Sequence, residues 1–577
     1  MEREEFLKQL KVTKNVSLKP KKKYNPEKRN IVIGGAWPYA NSSLHLGHLA
    51  ALLPGDVLAR YYREMGDNVI YVSGTDCHGT PITQRARKEG RTAKEIAEEY
   101  NAEFDKTFRD MGFTYDLYGK TEDEYHKKTV QKMLEKMYEN GYIYEKADRQ
   151  PFCDHCDRFL ADRELTLTCP SCGEQSKGDQ CDCGYIPTEE DLDGATCVEC
   201  GEKVHLRDNK NLYLALSKLQ PQIEEYFDGN SENWRLNSKK ETEKYLKEGL
   251  RDRAVTRDLD WGVDVTIPGY EDKKMYVWIE AVLGYITMTQ KYCAENGLDW
   301  EEFWKNDKSK IYMVHGKDNI TFHSIILPAL LSAMDDDYKL PDVMVSSEYL
   351  NIDSEKISKS KGNGITINDM IRDYDRDTLR YFLMANGPEK KDSNFSIDDY
   401  VTVHNSEITN KYGNLVNRTL NFKGLDCVPE GQMDPEFAEK IDKTYEEVGE
   451  YIENGEFKKA TLAIMHLVEE GNRYYDSRKP WEQKNSDRAA FNDTIYTCVN
   501  LIANLSNLYE PFMPNSSERI REYLGIEEAT WQKITVEPNT KINDPKPLFV
   551  RISQNKSQTK RKGDKKKQRE SEEEIEL

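Results

Sequence analysis

A chain of 577 residues with a net charge of −20 exceeds one ordinary domain and can bury several cores without disulfides. No run of 18 apolar residues appears, so no segment is expected to span a membrane; the polar, Lys-rich stretch from Met1 to Lys28 also lacks the apolar centre of a secretory signal. The acidic total does not exclude a nucleic-acid partner. Basic residues number 83 against 103 acidic ones, and phosphate is held by local basic paths rather than by averages.

After a polar extension over residues 1–29, residues 30–145 read as the first half of an α/β domain. An apolar strand, Ile31-Val32-Ile33, runs into Gly34-Gly35 and a Pro/Asn/Ser loop. A helix is expected from about Ser43, and a second strand, Asn68 to Val72, enters Gly74-Thr75-Asp76. That order implies a parallel, doubly wound sheet. An insertion over 146–255 carries most of the cysteines, and the sheet resumes over 256–350 with apolar strands at Ile311 to Val314 and Val343 to Val345. The predicted fold is a split, Rossmann-like doubly wound sheet with a zinc-knuckle insertion. Residues 351–404 lead out of it. From about Asn405 the pattern is helical: Ile441, Tyr445, Val448 and Ile452 fall at i, i+4, i+7 and i+11, and Ala460, Ile464, Leu467 and Ile495, Val499, Ile502, Leu505 repeat the stripe. A helical bundle over 405–552 follows, with Pro511 and Pro514 ending its last helix. Residues 553–577, basic and then acidic without apolar period, read as a disordered tail.

The sharpest local motif is Pro38-Tyr39-Ala40-Asn41-Ser42-Ser43-Leu44-His45-Leu46-Gly47-His48. It lies between a parallel strand and a helix, where backbone N–H groups and the helix dipole favour anions. Gly47 would let a flat group such as adenine approach the backbone. His45 and His48, on one face of the first turn, could donate to a triphosphate as charge builds at its α-phosphorus. A second motif, Lys356-Ile357-Ser358-Lys359-Ser360-Lys361-Gly362, sets lysine point charges on a loop of small residues, which suits a polyphosphate clamp. Alone, each motif would more often be a capped helix start or a solvated basic loop.

Eight of the twelve cysteines crowd into four pairs: Cys153-x-x-Cys156, Cys169-x-x-Cys172, Cys181-x-Cys183 and Cys197-x-x-Cys200. Two knuckles close one tetrahedral thiolate site, so four give two structural zinc sites in a reducing compartment. Spacing leaves nested and sequential pairing open, and Cys181-x-Cys183 is one residue shorter than the usual knuckle. Cys77, Cys293, Cys427 and Cys498 stand alone and are expected to be packed.

The two motifs, read as HLGH and KISKS, resemble in order and setting the HIGH and KMSKS signatures of class I aminoacyl-tRNA synthetases. From about Asn30 to Ile552 the chain further resembles the methionyl-tRNA synthetase family in its two-zinc, archaeal-like form. The likeness rests on Ala36-Trp37-Pro38-Tyr39-Ala40-Asn41, Gly74-Thr75-Asp76-Cys77-His78-Gly79-Thr80-Pro81, Tyr276-Val277-Trp278-Ile279-Glu280-Ala281, and His315-Gly316-Lys317-Asp318 with Phe322-His323. In the bundle it rests on Asn410 to Arg418 and Arg478-Lys479-Pro480-Trp481.

What the resemblance implies is a ligase that activates L-methionine with Mg2+-ATP to methionyl-adenylate and passes methionine to tRNA(Met), releasing pyrophosphate and AMP. It assigns His45, His48, Lys356 and Lys359 to the transferring phosphorus and departing pyrophosphate, and Gly47, Gly316, Asp318 and Ser358 to ATP. It assigns Ala36, Tyr39, Asp76, Trp278, Ala281, Tyr285 and His323 to methionine, with Asp76 on the ammonium; aromatic walls suit a polarisable thioether. Asn414, Arg418, Pro480 and Trp481 are assigned to the anticodon, whose unpaired bases are read by stacking and edge contacts. Nested zinc pairing is implied, with Cys153, Cys156, Cys197 and Cys200 on one ion and Cys169, Cys172, Cys181 and Cys183 on the other. Two departures stand out: Ile357 replaces methionine in KMSKS, and Val282 stands where many relatives carry proline. No oligonucleotide-binding domain is visible after Ile552, so a monomer is expected; the polar N-terminus and the paired thiols point to the cytoplasm. Competing readings are a class I synthetase for leucine, isoleucine, valine or cysteine, and a non-catalytic RNA-binding or zinc-scaffold descendant.

Overall fold

The computed structural model describes residues 24–160, 164–178, 181, 185, 187–353, 355–356 and 365–553, with 355–356 as backbone alone. The expectations for residues 1–23 and for the charged tail beyond residue 553 lie outside the described residues.

Strand β1 (Asn30–Gly35) is buried along its whole length. It is followed by α1 (Leu46–Glu64), β2 (Asn68–Thr75), α2 (Thr80–Glu89), α3 (Ala93–Asp110), β3 (Leu117–Lys120) and α4 (Glu124–Glu139). The insertion is built on a long antiparallel pair, β4 (Ile143–Cys153) and β5 (His205–Leu214), in register from Ile143↔Leu214 to Phe152↔His205. The cysteine knuckles sit at its far end. The chain then returns through α5 (Val277–Asn296), β6 (Lys310–Gly316), a π-helical turn (Phe322–Ile326) leading into α6 (Leu327–Met334), and β7 (Val343–Ser347).

These strands form one parallel sheet in the order β7-β6-β1-β2-β3. Successive side chains of a strand face opposite sides. Accordingly Ile31 and Ile33 enter the core shared with α1 and the C-terminal helices, while Val32 enters the core shared with α4, α5 and α6. Helices on both faces explain why β1 is an unbroken apolar run. Strand order reverses at β1, and ligands of such sheets bind at the carboxyl edge beside that reversal.

Beyond β7 a small sheet forms from β8 (Leu350–Ile352), β9 (Glu355–Lys356) and, after α7 (Arg376–Asn386), β10 (Ser393–Phe395). A helical stretch over 404–413 continues as α8 (Asn414–Leu420). The bundle is completed by α9 (Pro435–Glu453), α10 (Phe457–Arg478), α11 (Pro480–Ser486), α12 (Arg488–Leu508) and α13 (Pro514–Leu524). The stripes Ile441/Tyr445/Val448/Ile452, Ala460/Ile464/Leu467 and Ile495/Val499/Ile502/Leu505 are all buried.

Two expected boundaries shift. Helix α1 begins at Leu46, not near Ser43, because His45 is its N-cap. Pro514 does not end the bundle; it opens α13, where a residue without an N–H leaves no helical bond unmade. A buried ionic cluster fastens α1 to the bundle. The Asp56 carboxylate accepts from Arg60 Nε at 2.9 Å and Arg380 Nη2 at 2.7 Å, Arg60 reaches Glu510 at 2.7 Å, and Arg380 donates to the carbonyls of Pro511 and Phe512. Burial alone would raise the Asp56 carboxyl, yet the two guanidinium groups hold it at about 2.

Candidate active site

A cavity of about 430 Å³ opens at the carboxyl edge of the sheet. It is lined by Ala36 and Tyr39 after β1, Asp76 after β2, His45, Gly47 and His48 at the start of α1, Trp278, Ala281 and Tyr285 on α5, and Gly316, Asp318 and His323 after β6. Among the described residues, every position nominated from the sequence for methionine or ATP thus meets at one cavity.

The two histidines cap their own helix. His45 Nδ1 accepts from Gly47 N at 3.1 Å, His48 Nδ1 accepts from His45 N at 3.2 Å, and the ring centroids are 3.9 Å apart. This is a capping box built from imidazoles in place of the usual Ser/Thr and Glu. With both Nδ1 atoms accepting, the proton of each neutral ring sits on Nε2, which makes Nε2–H the donor.

The side chain of Lys356, together with Ser358 and Lys359, lies outside the described residues. The roots of that segment are placed. The Lys356 backbone pairs with Asn351 in β8, whose neighbour Leu350 lines the cavity. On the far side Leu46 N donates to Ile365 O at 3.2 Å, Ile367 N donates to Leu44 O at 3.0 Å, and Thr366 bridges to His45. The far root of the lysine segment therefore lies against the histidine motif, and the near root pairs with a strand that reaches the same cavity.

The other half of the cavity is aromatic. Trp278 packs edge-on against Phe322, centroids 4.2 Å apart. His323 Nδ1 donates to the Asn319 carbonyl at 2.8 Å, so its Nε2 accepts from the Tyr285 hydroxyl at 2.7 Å; burial holds this imidazole down at about 4, hence neutral. Asp76 is 4 % exposed. Burial and then the charge of Glu280 push its carboxyl well above the ordinary range, and a cation placed beside it would bring it back toward the ionised form. Asp318 is exposed and accepts from the Tyr349 hydroxyl.

Sequence reasoning missed several lining residues. Trp37 is wedged where a Cβ on Gly74 or Gly284 would come within 2.6 and 2.5 Å of its ring; the paired glycines were the available signal. Phe322 and Tyr349 also line the cavity. Glu280, an acid within the apolar run of α5, is fully buried between His78 and His126.

The thiols group in nested fashion. Cys153, Cys156, Cys197 and Cys200 lie within 4.8 Å of one another, as do Cys169, Cys172 and Cys181; Cys183 is outside the described residues. Sulfur separations of 3.5 Å (Cys153–Cys200), 4.0 Å (Cys156–Cys197) and 3.6 Å (Cys172–Cys181) match the roughly 3.8 Å that tetrahedral Zn–S bonds of about 2.3 Å require. They exceed a disulfide bond of about 2.05 Å.

In the bundle, Arg418 lies 4.1 Å over the Tyr475 ring and pairs with Asp476 at 2.7 Å, and Tyr475 lies 6.2 Å from Trp481. Trp481 is 49 % exposed although Pro480 beneath it is buried. Asn414 is exposed one helical turn before Arg418.

A parallel nucleotide-type sheet split by a thiol-rich insertion, with HLGH at its carboxyl edge and a helical bundle behind, defines a class I aminoacyl-tRNA synthetase. Residues 31–420 match the family model described as tRNA synthetases class I (M), and residues 426–564 match the anticodon binding domain of methionyl tRNA ligase. The chain is 46% identical over 528 residues to methionine–tRNA ligase 1 of Alkaliphilus oremlandii, covering 91% of this chain and 97% of that one. It is 48% identical over 529 residues to methionine–tRNA ligase of Bacillus cereus strain B4264, with the same coverage. Mycobacterium tuberculosis methionyl-tRNA synthetase in complex with methionyl-adenylate shares the fold, with a TM-score of 0.76 over 91% of this chain and all of that one at 24% identity. The chain belongs to the methionyl-tRNA synthetase family, and it is a ligase that joins methionine to tRNA. The readings as another class I synthetase or as a non-catalytic descendant are set aside. No described helix is long and apolar enough to cross a membrane.

Proposed function

We propose that both reaction steps take place in this cavity, with the aromatic half holding methionine and the histidine half holding Mg2+-ATP. Asp76 pairs with the substrate ammonium, while Trp278, Tyr285 and His323 surround the thioether, Tyr39 closes the near side, and Ala36 and Ala281 leave room. A methionine carboxylate oxygen then attacks the α-phosphorus in line; the new C–O–P bond forms as the bond to pyrophosphate breaks. Nε2–H of His45 and His48, with Lys356 and Lys359, stabilises the charge that moves onto the phosphate oxygens, and Gly47, Gly316, Asp318 and Ser358 seat the nucleotide. Positioning and preorganised donors suffice, so no side-chain nucleophile is required. The 3′-terminal hydroxyl of tRNA(Met) next attacks the carbonyl and AMP departs. The anticodon stacks on Trp481, stiffened by Pro480, beside Asn414 and Arg418. The outer and inner thiol sets each hold one zinc, which when bound supplies a rigid cross-link within the insertion. We assign the enzyme to the cytoplasm as a monomer.

One observation carries this reading: residues nominated from motifs up to 287 positions apart, Ala36 to His323, line a single cavity. The test is methionine-dependent ATP–pyrophosphate exchange. His48→Ala is expected to lower the rate about 10²–10³-fold by loss of one preorganised donor, and Asp76→Asn to raise KM for methionine but not for ATP. Unchanged exchange in His48→Ala overturns the reading.

A further inference from the structure

Helix α5 works on two faces. Trp278, Ala281 and Tyr285 turn toward the cavity, whereas Glu280 and Thr287, nearly two turns apart, share the opposite side. There the fully buried Glu280 carboxylate is 2.7 Å from His78 Nδ1 through one oxygen and 2.7 Å from His126 Nε2 through the other. The Thr287 hydroxyl lies 2.8 Å from His126 Nδ1 and 3.2 Å from the Gly284 carbonyl, so it holds the His126 ring with its Nε2 aimed at the Glu280 carboxylate. His78 Nε2 is 3.0 Å from Glu122, which Lys127 pairs at 2.7 Å. The His78 backbone N–H donates to Asp76 Oδ1 at 3.4 Å.

Glu280 thus ties three elements together: α5, α4 through His126, and the loop after β2 that presents Asp76. An apolar residue would fill this space without the desolvation cost of a buried carboxylate, so stability alone does not account for the cluster. Geometry does. Side-chain tips lie about 5–6 Å from a helix axis, so a roll of α5 by about 10° moves Trp278 and Tyr285 about 1 Å against Asp76, a displacement that can cost about 10²-fold.

We propose that Glu280, clamped between His78 and His126, is a positioning residue for methionine recognition, fixing the roll of α5 and the distance of its aromatic face from Asp76. The inference rests on the assignment of the cavity to methionine. Glu280→Gln keeps the volume but turns an NH2 toward one imidazole N–H, so one of the two bonds is lost. In pyrophosphate exchange KM for methionine is expected to rise about tenfold to a hundredfold, with KM for ATP unchanged and kcat affected less. Thr287→Val, which removes the hydroxyl held between His126 and the Gly284 carbonyl, is expected to raise KM for methionine about twofold to tenfold. Asp76→Asn is measured alongside. If Asp76→Asn leaves methionine KM unaltered, the site assignment itself fails. If it raises methionine KM while Glu280→Gln does not, the clamp alone is overturned. Parallel losses for methionine and ATP in Glu280→Gln would also overturn it, and should that variant not fold, an unaltered methionine KM in Thr287→Val does so.

Discussion

Gly284→Ala separates packing from helix propensity at the cavity floor. Gly284 lies inside α5, where alanine would ordinarily stabilise by up to about 1 kcal/mol. Its Cβ, however, would sit 2.5 Å from Trp37 Cζ2 and 2.8 Å from Cη2, against ordinary carbon contacts of about 3.5–4.0 Å. The indole must therefore retreat by about 1 Å. It cannot move toward β2, because Gly74 already meets the other ring edge. The cavity, which Trp37 lines, is the open direction. Overpacking costs about 1–3 kcal/mol, which outweighs the propensity gain, so net destabilisation is expected together with a rise in methionine KM of about tenfold to a hundredfold. Urea unfolding and pyrophosphate exchange at varied methionine measure the two effects, with ATP KM as the unaffected reference. Gly229→Ala is the control: its Cβ meets nothing within 4 Å, so it should stabilise by about 0.4–1 kcal/mol and leave kinetics alone. A Gly284→Ala enzyme with unaltered methionine KM refutes the argument.

Three further outcomes are expected. His78 is held protonated to about pH 9 because Glu280 and Glu122 outweigh the opposing effect of burial; a raised folded value contributes stability, about 3 kcal/mol, that is complete below 6.5 and lost as pH rises from there through 9. Urea unfolding at pH 6.5 and 9.5 should show that loss in the native chain and not in His78→Gln, and equal losses in both would count against it. Metal analysis should find two zinc ions per chain and one in Cys153→Ser, whereas zinc-free protein with full activity would rule out the thiolate sites. Trp481→Ala should lower charging of tRNA(Met) about tenfold to a hundredfold, the worth of one stacked base, while leaving pyrophosphate exchange untouched; an equal fall in both would place Trp481 in folding rather than in recognition.

What could be read in advance was local. The apolar run of β1 announces a strand covered on both faces, and the stripes of α9, α10 and α12 announce buried helix faces, because each pattern depends on neighbours within a few residues. Individual cysteine knuckles are local too, but which knuckles join is not: Cys153 meets Cys200 across 47 positions. The same limit hid Glu280, whose partners His78 and His126 are 202 and 154 positions away. Trp37 was hidden because the two glycines that admit it come from β2 and α5. The misplaced start of α1 has a different origin. Ser43 is the commoner capping residue, and nothing local says that imidazoles will fill the role when both Nδ1 atoms accept backbone N–H groups.

That imidazole cap bears on rate as well as fold. A donor that must reorient while phosphate charge shifts forfeits part of its stabilisation, whereas one already fixed does not. His45 and His48 are fixed by hydrogen bonds to the backbone of the helix they begin, and that backbone is in turn bonded to residues 365–367, just beyond the lysine motif. Helix start, donor orientation and lysine-loop anchorage therefore share one set of bonds. Further along α1, Asp56 and its two arginines tie the middle of the same helix to the bundle that carries Trp481. The helix is thus braced at its start and at its middle by backbone or buried bonds, with the site-bearing end held independently of any ligand.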